Sequence, residues 1–216
     1  AEQEQHIQNM EDGIGWLDAT DSALNNVGQV LRRAYELTVG AANGTNPEDS
    51  LKAIAKEIEQ LSDELMQIAN TSYAGRFIFG GTYTGATPFV KDTEGNVTYA
   101  GNKSTLNWEV GPSVTMDVNL TGADVFNVNM NEGDIDKGTS TVFRVLSNLK
   151  EALETGGDVG ALLDDIDDQV DHILQQRAVV GAKSRRLEMS LERAKEVNLG
   201  LTELTSKLEN IDVAET

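Results

Sequence analysis

Nine residues, "DDIDDQVDH" at 164–172, are the densest set of metal-type ligands in the chain. On a helix Asp164, Asp168 and Asp171 share one face, and Asp165, Asp168 and His172 share another. Carboxylates of this kind suit magnesium, calcium and manganese. The same stretch holds Leu163, Ile166, Val170 and Ile173 at core spacing. The simpler reading therefore places the acids on the solvated face of an acidic helix. "NVNMNEGDIDKG" at 127–138 alternates Asn127, Asn129 and Asn131 like a calcium loop. Its glycine comes one place late, at Gly133, and Gly138 stands where the closing glutamate belongs, so it reads as a polar linker. His6 and His172 are the two histidines, and neither has a nucleophile-like neighbour in sequence. In "TSYAGRFIFGGTYTG" (71–85) the glycines follow a helix, whereas a phosphate cradle precedes one. The pairs Arg32-Arg33 and Arg185-Arg186 lie among acids and read as surface ion pairs. No catalytic residue, cofactor or resident metal is expected.

Composition narrows the classes further. The 216 residues carry 17 Lys+Arg against 36 Asp+Glu, a formal net charge of −19. Such a chain repels nucleic-acid phosphates and anionic membrane surfaces. There is no cysteine, which removes disulfides, thiol nucleophiles and cysteine-held metals together. No apolar run approaches the roughly 20 residues needed to span a bilayer. "AEQEQHIQNMEDG" has no basic region before an apolar core and is not read as a secretory signal peptide. It reads as the inside of a helix, so a trimmed chain is expected.

The elements that must position any site follow from periodicity. Ile7, Met10, Ile14, Leu17, Leu24, Leu31 and Tyr35 step by three and four, with Asp21 and Gly28 as breaks in the stripe. That predicts a helix over 1–40 with one narrow apolar seam. "AANGTNPED" stops it: Gly44 suits a C-terminal turn, Asn46 an N-cap and Pro47 a first helical position. Leu51, Ile54, Ile58, Leu61, Leu65 and Ile68 then predict a second, antiparallel helix. From 77 to 130 the period changes to two. "FVKDTEGNVTYAG" holds a Glu94-Gly95-Asn96 turn, and Gly111-Pro112 separates Leu106, Trp108, Val110 from Val114, Met116, Val118, Leu120. Helix returns with Val142, Leu146, Leu149 and Leu153. The longest pattern is Val159, Leu163, Ile166, Val170, Ile173, Val180, Leu187, Leu191, Ala194, Leu201 and Leu208, broken at Arg177, Ser184, Asn198 and Thr205. About 50 residues at ~1.5 Å each make it near 75 Å long. The expected fold is mainly α: an elongated antiparallel helical bundle, a coiled-coil-like rod, with a small mid-chain antiparallel β module at one end. The expected division is a discontinuous rod of 1–75 and 141–216 and an inserted β-rich domain of 76–140.

"LRRAYELTVGAANGT", "EIEQLSDELMQIANTSYAGR" and the F-x-F-G-G-T that follows resemble the N-terminal helical region of bacterial flagellins and their relatives. "RAVVGAKSRRLE" (177–188) and "LTSKLENIDVAE" (204–215) are similar to the C-terminal helix of that family. "GTYTGATPF", "VTYAGN" and "NLTGADVF" are similar to the short β region of its hook-associated branch, where ordinary flagellins carry other sequence. The resemblance implies a structural, non-enzymatic subunit that joins hook to filament and serves as a platform for filament assembly. A minor flagellin is the alternative within the class, and a divalent-metal-binding protein using 164–172 the alternative outside it.

The implied partners are copies of itself in a ring, a neighbouring junction protein, flagellin and an export chaperone. The implied location is the extracellular flagellum, reached through the flagellar type III apparatus without a cleaved signal. Family members carry further terminal segments that polymerise, so the chain as it stands is expected to be monomeric. Tyr73, Phe77 and Phe79 are candidates for an aromatic plug between helix and β module. In flagellins the helical surface matching Arg33, Leu37 and Glu57 is read by an innate immune receptor. These three are therefore a candidate protein-interaction surface, with packing between subunits the plainer role.

Overall fold

The computed structural model describes residues 2–43, 46–93, 95–129 and 138–212, with side chains for all but 138, 139 and 202–212. Two helices frame it, α1 (Glu2–Ala42) and α5 (Leu163–Asp212). Between them come α2 (Glu48–Ala69), the short strands β1 (Ser72–Tyr73), β2 (Arg76–Phe77), β3 (Phe89–Lys91), β4 (Val97–Tyr99), β5 (Asn107–Gly111) and β6 (Val114–Asp117), and a single turn of helix α3 (Gly122–Val125). Strand β7 (Gly138–Thr139) and helix α4 (Thr141–Thr155) follow, and a 3-10 turn leads into α5.

α1 and α5 lie antiparallel along one another and bury their seams together. Met10, Leu17, Leu24 and Leu31 are fully buried on α1, as are Ile166, Ile173, Val180 and Leu187 on α5. The breaks in the two stripes meet. Arg177 Nε and Nη2 donate to the two carboxylate oxygens of Asp21 at 2.9 and 3.0 Å, and Nη1 donates to Asn25 Oδ1 at 3.1 Å. A bidentate guanidinium–carboxylate pair is demanding in geometry, so this clasp favours the register in which the apolar seams interdigitate. Gly28 lies under Ile173, which is 4.0 Å from where a Cβ would stand. α2 packs on α1 on one side and on α4 on the other, which is why Ala55, Ile58, Leu65 and Ala69 are buried while Leu51, Ile54, Leu61 and Ile68 are partly covered flanks.

The structure departs from the expected pattern in particular places. Tyr35 is 36 % exposed, because the seam after Leu31 steps three residues to Ala34 and on to Thr38 and Ala41. Val114, at the tip of the β5–β6 hairpin, and Leu201 on α5 are also exposed. Asn46 donates to the carbonyls of Gly40 and Ala41 and so closes α1, while Pro47 occupies the N-cap of α2. Gly44 and Glu94 lie outside the described residues, as does the side chain of Leu208. Gly111 pairs with Val114, so the turn is Pro112-Ser113, with Ser113 at φ 61°.

The β region is three small antiparallel sheets, β1-β2, β3-β4-β7 and β5-β6. It lies along the flank of the α1–α5 pair rather than capping its end. Asn9 Nδ2 donates to Glu109 O at 2.8 Å, Lys183 reaches Asp117 and the Asn119 carbonyl, and Gly13 faces Val118, Trp108 and Leu187 together.

Replacing Ile58 by Asp puts an uncompensated carboxylate into the α1–α2–α4 interface, at several kcal/mol. Cooperative thermal melting should be lost in Ile58→Asp and unchanged in the exposed Asp168→Ala, as followed by circular dichroism. For the clasp, a double-mutant cycle of Asp21→Ala and Arg177→Ala should give a coupling of about 0.5–1 kcal/mol that shrinks in high salt, since both groups are partly solvated. Additive effects would remove its role in register.

Candidate functional site

The acidic stretch does not assemble into a metal centre. Asp164, Asp165, Asp167, Asp168 and Asp171 are exposed, on the side of α5 away from the buried Ile166 and Ile173. His172 Nε2 lies 2.7 Å from the Asp124 carbonyl, tying α5 to α3. Among the described residues no three histidine or carboxylate side chains gather as a metal-binding group. Residues 130–137, the middle of the calcium-loop-like segment, lie outside the described residues.

At the exit of α2 the chain turns on a tight hairpin. Ala74 and Gly75 take φ 48° and 76°, the left-handed pair that a two-residue β-turn requires. The three plug candidates go to different places. Tyr73 packs edge-on against Trp16 of α1, ring centres 6.2 Å apart, and its hydroxyl covers Gly15. Trp16 also meets Trp108 at 6.3 Å, and the Arg76 guanidinium sits 5.4 Å from the Trp16 ring. Phe77 is half-buried in β2, where its N–H donates to Thr84 O at 2.8 Å. Phe79 is fully buried in a second cluster with Phe126 at 5.4 Å. There Phe89 meets Phe126 edge-on at 4.8 Å and Tyr99 at a tilt at 4.9 Å, and Phe143 of α4 stacks on Phe126.

Trp16, Tyr99, Phe126 and Phe143 were not foreseen as members of these clusters. For Trp16 the signal is its place between Gly15 and the seam residue Leu17. The other three give none, because they converge from distant segments. The Tyr99 hydroxyl lies 2.7 Å from Phe79 O and 3.0 Å from Asn102 O. Burial is the main cause that pushes its phenol well above the ordinary value of 10.0. Gly122 leaves the space: a Cβ there would come within 2.8 Å of the Phe79 carbonyl and the Phe89 ring.

Arg33 and Glu57 pair across α1 and α2, with Nη2 2.6 Å from Oε1, and Leu37 is half-buried against the core. The Glu57 hydrogen bond raises the Arg33 guanidinium above its ordinary value. Similar ion pairs join α4 to α2 (Lys150–Glu59, 2.7 Å), β3 to α2 (Lys91–Asp63, 3.1 Å) and α5 to α1 (Lys195–Glu11, 2.7 Å). An open cleft of about 510 Å³ between α2, α4 and the β3–β4 hairpin has a floor of Ile58, Phe143 and Leu146 and a polar rim. What the molecule offers is surface.

Residues 1–84 match the model of the bacterial flagellin N-terminal helical region. The chain is 28% identical to flagellin of Bacillus subtilis over 220 residues, covering 96% of this chain and 68% of that protein. It is 34% identical to flagellar hook-associated protein 3 of Salmonella typhimurium over 140 residues, covering 62% of this chain but 43% of that one. Among solved structures it superimposes on Bacillus cereus FlgL at 28% identity, with TM-score 0.74 over 92% of each chain. The fold is also that of hook-associated protein 3 from Legionella pneumophila, with TM-score 0.83 and 18% identity over 97% of each chain. Residues 1–84 thus match the flagellin N-terminal helical region, and over 97% of the chain the fold is that of a solved hook-associated protein 3. In sequence the chain is similar to both flagellin and hook-associated protein 3.

The raised Tyr99 phenol has a signed consequence. Its folded value lies above its unfolded one, so the stabilisation is complete below pH 10.0 and is lost as pH rises beyond it. The melting temperature should fall steeply in that alkaline range. Tyr99→Phe should melt lower at neutral pH, by about 1 kcal/mol for the lost hydrogen bond, and decline less steeply above pH 10.0. Parallel alkaline slopes would show that Tyr99 is not the titrating group.

Proposed function

We propose that the chain is a structural subunit of the bacterial flagellum that joins hook to filament and offers the platform on which the filament grows. The observation that carries this reading is the superposition on Bacillus cereus FlgL over nearly the whole of both chains, inserted β region included. The surface chemistry agrees: the side chains are arranged for packing, and the ion pairs knit neighbouring elements. The partners under this reading are further copies in a ring, the adjacent junction protein and flagellin, with an export chaperone before assembly. Its place is extracellular, on the flagellum. No helix among the described residues is long and apolar enough to cross a membrane.

Arg33, Leu37 and Glu57 serve, in this reading, as a contact surface for neighbouring protein. Leu37 offers little free area and Arg33 is already held by Glu57, which favours packing between subunits over recognition by an immune receptor. The match to Bacillus subtilis flagellin over 96% of this chain favours a second reading, a minor filament subunit.

Complementation separates the two. A deletion strain should form hooks without filaments and lose flagellin to the medium, and the full-length gene should restore filaments and swimming. Filaments of normal length without the protein would leave only the minor-subunit reading.

A further inference from the structure

α5 carries a second stripe, on the side away from the core. Asp164, Asp168, Asp171, Gln175, Ala178, Ala182, Arg186, Met189 and Arg193 follow one another in steps of three or four. Such steps keep residues on one helix face. Every one of them is exposed, and Val179 beside them is 41 % exposed. The stripe is ordered by charge. Its first third is acidic, its middle small and apolar apart from Gln175, and its last third basic, with Met189 at 63 % exposure between the two arginines. Among the described residues, none of these aspartates or arginines makes a side-chain hydrogen bond or ion pair. Arg177, Lys183 and Lys195 on the neighbouring faces are engaged by Asp21, Asp117 and Glu11.

We propose that this stripe is a docking seam for a second copy of the chain, paired antiparallel about a two-fold axis beside Ala178 and Val179. In that arrangement Asp164 faces Arg193 of the other copy, Asp171 faces Arg186, and Asp168 faces Met189. Gln175 meets Ala182, and the small middle lets the two helices approach. Each ion pair occurs twice, as an isologous contact demands. A parallel pair in register sets aspartate on aspartate and arginine on arginine, and like charges at the seam repel. A uniformly acidic or basic partner is attracted by one third and repelled by the other. Only a surface carrying the same charge order in reverse matches the whole stripe, and the chain itself supplies it.

The expectation of a monomer rests on the terminal segments that polymerise in the family, and this seam lies elsewhere, on α5. With a net charge of −19 the copies repel at long range, so the pair forms at high concentration and is weak. The proposal stands apart from the flagellar reading. In a ring whose subunits all point one way this two-fold pair has no place, so it belongs to the unassembled subunit.

The absence of cysteine allows a direct test. Single-cysteine variants Asp168→Cys and Met189→Cys are mixed at submillimolar concentration under mild oxidation. The mixed disulfide should exceed either self-disulfide severalfold. The same measurement with Arg186→Glu and Arg193→Glu added to both chains should lower its yield at least tenfold. Adding Asp164→Lys and Asp171→Lys, which reverses the order of charge, should restore it. All these positions are exposed, and circular dichroism verifies the fold of each variant. Sedimentation equilibrium of the unaltered chain should show a monomer–dimer equilibrium. A chain monomeric at the highest concentration, Met189→Cys linking to itself as readily as to Asp168→Cys, or yields indifferent to charge reversal would each overturn the seam.

Discussion

Everything in this molecule rests on the antiparallel contact of its first and last helices. A seam of leucine, isoleucine and valine gives that contact its strength but little choice of position, since apolar side chains tolerate sliding by a turn. Position comes from the half-solvated clasp of Arg177 on Asp21 and Asn25. Pairs of this exposure contribute little net stability. Their value is that every shifted alignment leaves a charge among apolar groups. The ends of the chain are thereby locked side by side, and all that lies between them becomes a loop returning to its origin.

The intervening β strands depend on that frame. Sheets of two or three strands, each two to five residues long, do not stand alone in water. Here two aromatic clusters hold them. One joins Tyr73 and Trp108 to Trp16 on the frame itself; the other gathers Phe79, Phe89, Tyr99 and Phe126 over Phe143 of α4. A chain with 5% aromatic residues concentrates them where regular secondary structure is thinnest. Large rings bury much area per residue fixed, and edge-to-face contacts orient them.

Much of the helical frame was legible in the sequence, because the spacing of apolar residues reports which side of a helix is dry. What the spacing cannot report is which dry sides meet. Asp21 and Arg177 stood out as faults in two separate stripes, yet they are one feature, visible only when residues 156 apart are brought together. Tyr35 departs for a related reason: beyond Leu31 the buried face passes to Ala34, Thr38 and Ala41 and leaves the ring outside. Period two located the hairpins, but a two-residue alternation has no means of showing that Val114 projects beyond the helix that covers its neighbours. The acidic run read as a solvated face, and its aspartates lie exposed on the side away from the buried Ile166 and Ile173. The aromatic clusters were the least legible part, since the members of the second alone come from five segments with no common period.

The asparagines at the strand edges have a bearing on how many copies of this chain behave together. Asn70 offers its amide to both the N–H and the carbonyl of Phe89, at 2.9 Å each, as a neighbouring strand would. Just before β5, Asn119 accepts from Leu106 N–H at 2.8 Å and reaches Ser104 O at 3.4 Å, and Asn9 donates to Glu109 O. A strand whose outward groups are already taken is no template for a strand from another molecule. Each side chain is a full stop written into the ladder. Where these groups are taken, copies crowded side by side find no strand to extend, and contact there is left to side chains.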